Sequence, residues 1–297
     1  MKKHNIIAMA LTSLMALPVI AQDSTPAVGD ILQGINMFTP EEGDPAYKVK
    51  ANEKYGTQWG VDMAYGLWNT EKVSDVKRHN NLALLHAQLN QRLIEDKANG
   101  GTWLRVEFSG SWGLDRESAQ SDTFFTEAYA TASGLHADAM GPHEGIFPEV
   151  ALMQYFAGKR ACLIAGMVNL TNYFDAVSIA NDSFSSFTND GFVNSTILPL
   201  VDSNIGGILQ VELNRNNYMM VAVSRTGCDS GYNPFNSDYC DGYAVVGEYG
   251  HIFADGAAPL RINPIYTSTE VVMEDGPGAR RRQNAVLVAS IEYTPCD

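Results

Sequence analysis

The residues best suited to chemistry alternate along one stretch of chain. In TWLRVEFSGSW, residues 102–112, Trp103, Arg105 and Glu107 share one parity. An indole, a guanidinium and a carboxylate two residues apart project from the same side of an extended strand. Such a set can stack on, charge-pair with and hydrogen-bond a polar solute weakly enough to release it. It includes no nucleophile held beside a base. Trp68, which shares parity with Asp62, and the pair Gln210 and Glu212 of NIGGILQVEL have comparable placements.

Other clusters fit known chemistry poorly. His136, Asp138, His143 and Glu144 in LHADAMGPHEG match neither a helical zinc pair nor a finger. The loop DSGYNPFNSDYCD alternates oxygen ligands but lacks the glutamate of a calcium-binding EF-hand. With no serine elbow and no glycine-rich phosphate cradle, the chain reads as a non-enzyme that needs no metal and no cofactor. A net charge of -14 argues against nucleic acid as a partner. The run Arg280, Arg281, Arg282 reads as a solvated loop.

The elements that must hold these residues are two-sided strands. Opposite Trp103, Arg105 and Glu107, the other parity of the same stretch carries Leu104, Val106, Phe108 and Trp112. Ten such segments are expected, at 57–68, 81–94, 102–112, 148–157, 161–168, 204–213, 218–225, 242–253, 260–270 and 284–293. Short, turn-rich connections at 95–101, 158–160, 214–217 and 254–259 alternate with long ones at 69–80, 113–147, 169–203, 226–241 and 271–283. Strict alternation of this kind is the topology of an outer-membrane barrel, with the long loops outside. A soluble sandwich imitates the two faces but gives no reason for every long loop to fall at one end. Trp59 and Trp112 then face lipid at its interfaces, while Trp68 and Trp103 face the lumen.

Residues 1–21 have the form of a secretory signal peptide: Lys2 and Lys3, an apolar run from 6 to 20, and Val19 and Ala21 before a cut. Residues 22–56 form an acidic lead, periplasmic or mobile, to which no element is assigned. The barrel is expected to occupy 57–297. No later run has the length of a spanning helix, so membrane crossing must use strands in a closed barrel. Of four cysteines, Cys228 and Cys240 bracket a turn-rich loop and are the candidate disulfide in an oxidising compartment. The pairing of Cys162 and Cys296 stays open.

Residues 163–200, LIAGMVNLTNYFDAVSIANDSFSSFTNDGFVNSTILPL, resemble the carbohydrate-selective porin family of outer membranes. The likeness rests on Gly166, the pair Phe174 and Asp175, Asn181 and Asp182, Phe187 and Asn189, Asn194 and Pro199, and it extends weakly from about 60 to 253. The resemblance implies an all-β, antiparallel, up-and-down transmembrane β-barrel of sixteen strands whose infolded loops narrow a lumen that passes sugars down their gradient. It adds Asn172, Asp175, Asn181 and Asp182 to the candidate solute contacts. The implied partners are saccharides or other small polar solutes and outer-membrane lipid, with a homo-oligomer left open.

The chain departs from that pattern in showing about ten strands and in ending on ASIEYTPCD, without a closing aromatic strand. A truncated barrel, or a smaller one with a narrower lumen, is therefore expected. The competing reading is an exported β-rich binding or adhesion protein without a channel, displaying Tyr232, Phe235 and Tyr239 on its loop.

Overall fold

The computed structural model describes residues 45–69, 79–113, 143–174, 203–226, 242–253, 259–272 and 281–291. The signal-like segment 1–21, Asp175, Asn181, Asp182, Cys228, Cys240 and Cys296 lie outside the described residues.

Among the described residues ten strands form one sheet: β1 Thr57–Asn69, β2 His79–Ile94, β3 Thr102–Gly113, β4 His143–Phe156, β5 Ala161–Val168, β6 Asn204–Asn214, β7 Asn217–Thr226, β8 Gly242–Ile252, β9 Pro259–Val272 and β10 Arg281–Ile291. They pair in sequence order and every pairing is antiparallel. All ten expected strands are present in an up-and-down arrangement. Among the described residues β1 and β10 are the two edges, and no pairing between them closes the sheet.

The turns at one end are short and locally tied. In 95–101 the Asp96 carboxylate accepts from the Asn99 side chain at 2.9 Å and from the backbone N–H groups of Ala98 and Asn99. These bonds, the Asn99 side chain first, hold its carboxyl below the usual carboxylate range. Ala157, Gly158 and Lys159 all take positive φ between β4 and β5, a conformation free of strain only at the glycine. Gly158 N–H reaches the Asn99 side-chain oxygen at 3.2 Å, joining these two turns.

β4 starts five residues earlier than the sequence predicts. Glu107 lies opposite Glu149 but Ser109 lies opposite Ile146, so Phe147 and Pro148 together face Phe108 alone. Proline cannot donate to the ladder, and the bulge is where a strand tolerates it. The chain then continues as strand beyond a residue that reads as its beginning.

A helix absent from the sequence reading, α1 Ala46–Tyr55, precedes β1. Gly56 at φ 64° closes it, donating to the carbonyls of Ala51 and Asn52. Tyr47, Ala51 and Tyr55 recur four apart, but a stripe of three residues in a short, lysine-rich segment is too slight to have marked it as a helix.

One face of the sheet is packed. Trp103, Met153, Tyr155, Ile164, Ile208, Tyr218, Met220, Val246 and Ile265 belong to one buried cluster running from β3 to β9. A twisted, antiparallel up-and-down sheet coils as strands are added, and these residues lie on the packed side, taken as concave. Glycine assists at the centre. Gly166, at φ 147°, and Gly206 are paired across β5 and β6, and a Cβ on either would lie 2.4 or 2.6 Å from a carbonyl oxygen of the next strand.

The convex face is apolar and open. Trp59, Val61, Met63 and Tyr65 line β1, and Leu152, Leu163, Val223, Ile262 and Leu287 continue the face around the sheet. Met63 is 80% exposed and Leu287 72%.

Candidate functional site

Arg105, Glu107 and Glu149 meet on the concave face because register places them there. Glu107 and Glu149 are directly opposite across β3 and β4. Two facing carboxylates repel one another. Arg105, two residues along β3, sits between them: its Nη2 is 3.1 Å from Glu107 Oε1 and its Nε 3.5 Å from Glu149 Oε2. From β2, the Gln88 amide oxygen, in the orientation its neighbours require, accepts from both terminal nitrogens of Arg105 at 3.2 Å. His86 Nε2 lies 3.8 Å from Glu107 Oε1. Arg105 is 4% exposed and Glu149 0%, so water contributes little to keeping these charges together.

The chain after β5 completes the cluster. Asn169 caps a 3-10 turn, Leu170–Asn172, by accepting from Thr171 N at 3.1 Å and Thr171 Oγ1 at 2.7 Å. The turn directs Asn172 inward, where Nδ2 donates to Glu107 Oε2 at 2.7 Å and to Glu149 Oε2 at 3.2 Å. The Tyr173 hydroxyl donates to Glu149 Oε1, and its ring lies 5.6 Å from the Arg105 guanidinium carbon. Leu170, Tyr173 and Phe174 are buried in the concave cluster. Residues 169–174 therefore fold onto the concave face, held by two carboxylates at one side and by apolar packing at the other.

A second charged group occupies the same face on β7 to β9. Tyr218 Oη donates to Glu248 Oε1 at 2.6 Å, Asn263 Nδ2 donates to Glu248 Oε2 at 2.7 Å, and Arg261 Nε is 3.9 Å from Glu248 Oε1. Gly250 makes room for the tyrosine ring, since a Cβ there would fall 2.0 Å from it.

The remaining sequence candidates are distributed along the sheet. Trp103 is buried on the concave face beside the first cluster, its Nε1 donating to the Gly100 carbonyl at 2.9 Å and its ring 5.8 Å from the Arg92 guanidinium carbon. Gln210 is buried on the concave face of β6, where Nε2 reaches Met220 Sδ at 3.3 Å and Oε1 accepts no hydrogen bond. The Asn90 and Asn263 side-chain oxygens are likewise buried and unpaired. Glu212 stands apart near the short turns, 3.7 Å from Arg160 Nε. Trp68 lies in β1 opposite Asn80, with its side chain outside the described residues.

Glu149, Tyr173 and the Tyr218–Glu248–Arg261–Asn263 group escape the sequence reading. Glu149 shares its face with Ala151, Met153 and Tyr155, and Glu248 with Ala244 and Val246, so neither strand shows a polar side by composition. For Glu149 and Glu248 the only signal is a charged residue within an otherwise apolar parity, whereas Arg261 and Asn263 alternate with Leu260 and Ile262 in a polar parity that was there to be read.

No family model matches the chain, and no curated protein matches its sequence. Among solved structures, the high-pH structure of Pseudomonas putida OprB superposes with a TM-score of 0.56 at 11% identity, covering 76% of this chain and 55% of that one. The chain thus spans little more than half the length of that protein. The likeness shows the fold, an all-β up-and-down sheet of the porin β-barrel kind.

Proposed function

We propose that this chain is an outer-membrane porin for passive diffusion of carbohydrates and other small polar solutes. The observation that carries the reading is the inverted polarity of the sheet. Large apolar residues are exposed on the convex face, whereas Arg105, Glu107, Glu149, Glu248 and Arg261 are buried on the concave one. A soluble protein does the reverse, and a contiguous exposed apolar face marks a surface that water does not contact. Lipid outside and polar groups inside is the arrangement of a membrane barrel. The likeness of fold to OprB agrees with a sheet of this kind.

On this reading residues 1–21 are removed on export, the short turns face the periplasm, and 57–297 form the barrel. Trp68, Trp103, Arg105, Glu107, Asn172, Asp175, Asn181, Asp182, Gln210 and Glu212 are the solute-contact candidates.

The test is single-channel current in a planar bilayer, with and without a series of malto-oligosaccharides. Discrete conductance steps blocked by sugar are expected. One observation favours the second reading, a β protein without channel activity: the concave face from β3 to β9 is packed by its own side chains. An inserted, heat-modifiable protein that carries no current would decide for that reading.

A further inference from the structure

We infer that residues 169–174 are a strap that occupies the solute's place on the concave wall and leaves it when a saccharide supplies the same hydrogen-bond donors. The inference rests on the porin reading and adds a regulation to it.

The proposed contacts are closed in this structure. Trp103 is 1% exposed, Arg105 and Glu107 are 4% exposed, and Glu149 is 0% exposed. A solute reaches them only if something moves. The strands are held in place, since β3 is paired with β2 and β4, and β4 with β3 and β5. The segment 169–174 stands outside these ladders. Its backbone bonds run within it, Asn172 N–H to the Asn169 carbonyl and those of Tyr173 and Phe174 to the Leu170 carbonyl. Polar side chains fasten it to the wall. A segment held in this way opens at lower free energy than strands paired on both sides.

The fastening has the chemistry of a bound sugar. Glu107 and Glu149, as carboxylates, can only accept hydrogen bonds. The strap gives them the Asn172 amide and the Tyr173 hydroxyl, and sets the Tyr173 ring 5.6 Å from the Arg105 guanidinium carbon. One nitrogen reaches both carboxylates, at 2.7 and 3.2 Å, so they are close enough for neighbouring hydroxyls of one pyranose ring to bridge. Two buried carboxylates stripped of these donors are strongly unfavourable, which keeps the strap docked until other donors replace its own. Asn172, a contact candidate by resemblance, is on this account the solute's competitor. Leu170, Tyr173 and Phe174, packed in the concave cluster, draw the strap back when the solute leaves.

The experiment is hydrogen–deuterium exchange on the full-length protein in lipid vesicles, alone, with maltotriose, and with glycine betaine at equal osmolality, a solute that has no hydrogen-bond donor. The amides of 170–174 are expected to exchange at least about threefold faster with maltotriose and at the original rate with betaine, while β3 and β4 stay protected. Asn172→Ala, and Tyr173→Phe, which keeps the ring and removes the hydroxyl, should each speed exchange without sugar and shrink the response to it. Exchange unchanged by maltotriose, in a protein that conducts in a planar bilayer, overturns the strap and leaves the porin reading intact. An equal response to betaine, or variants that exchange as slowly as the parent, also overturns it. A protein that inserts and carries no current with or without maltotriose overturns both.

Discussion

Asn172 Nδ2 donates to Glu107 Oε2 at 2.7 Å across 65 residues of sequence. The same nitrogen lies 3.2 Å from Glu149 Oε2. One amide therefore shares its protons between two carboxylates that strand register holds face to face, and in doing so ties residues 169–174 to the concave wall.

Asn172→Ala should destabilise the protein by about 1.5–3 kcal/mol, the usual effect of removing a hydrogen bond to a charged acceptor. Asn172→Asp should do more, about 3–5 kcal/mol, because a third carboxylate joins Glu107 and Glu149 around one guanidinium. The urea midpoint of the heat-modifiable gel band measures both. An Asp variant as stable as the parent would show that the contact is incidental.

Arg105→Gln should shift ion selectivity toward cations. Removal of the guanidinium leaves Glu107 and Glu149 to set the potential at that level of the concave face. Reversal potentials under a salt gradient report it, and an unchanged selectivity would mean that ions do not pass this cluster.

Val106 lies on the convex parity of β3, between concave Arg105 and Glu107. Val106→Arg should cost about 2–4 kcal/mol if the position lies near the bilayer midplane, with Val106→Leu close to neutral. Equal stability of the two variants in lipid would contradict a lipid-facing convex side.

Gly250→Ala places a methyl group where the Tyr218 ring lies, 2.0 Å from its nearest carbon. Displacing the ring also disturbs its hydrogen bond to Glu248. A loss of about 1–3 kcal/mol is expected, as for other overpacked interiors. Unfolding midpoints of Gly250→Ala alone and combined with Tyr218→Phe test it: if the ring is the obstacle, the two effects are not additive.

Cys162 is buried and free in the concave cluster. It should resist a maleimide in the folded protein and react only after unfolding. If Cys228 and Cys240 are joined, the unfolded, unreduced chain should take up label at Cys162 and Cys296 alone. Labelling of Cys162 in the folded barrel would mean that the concave packing opens readily.

Period-two patterning pointed to the ten described strands and to the parity of β3 that carries charge, and the alternation of short and long connections pointed to their up-and-down order. Extended chain admits only two sides, and the side that carries Leu104, Val106 and Phe108 cannot also carry Arg105 and Glu107. The same reasoning put Trp59 and Trp103 on opposite faces, as observed. The extent of β4 was hidden because Pro148 signals a strand end, and only pairing with β3 shows it seated in a bulge.

Helix α1 left only the short periodic trace of Tyr47, Ala51 and Tyr55, and its closing Gly56 is equally at home in a turn. The cluster itself belongs to tertiary structure. Glu149 faces Glu107 through register, and Asn172 reaches both through a turn that folds onto the sheet. Neither relation follows from spacing along the chain, since each depends on which residue of one strand lies beside which residue of the next. Local alternation is an intrinsic property of the extended backbone, whereas register is chosen by the whole sheet.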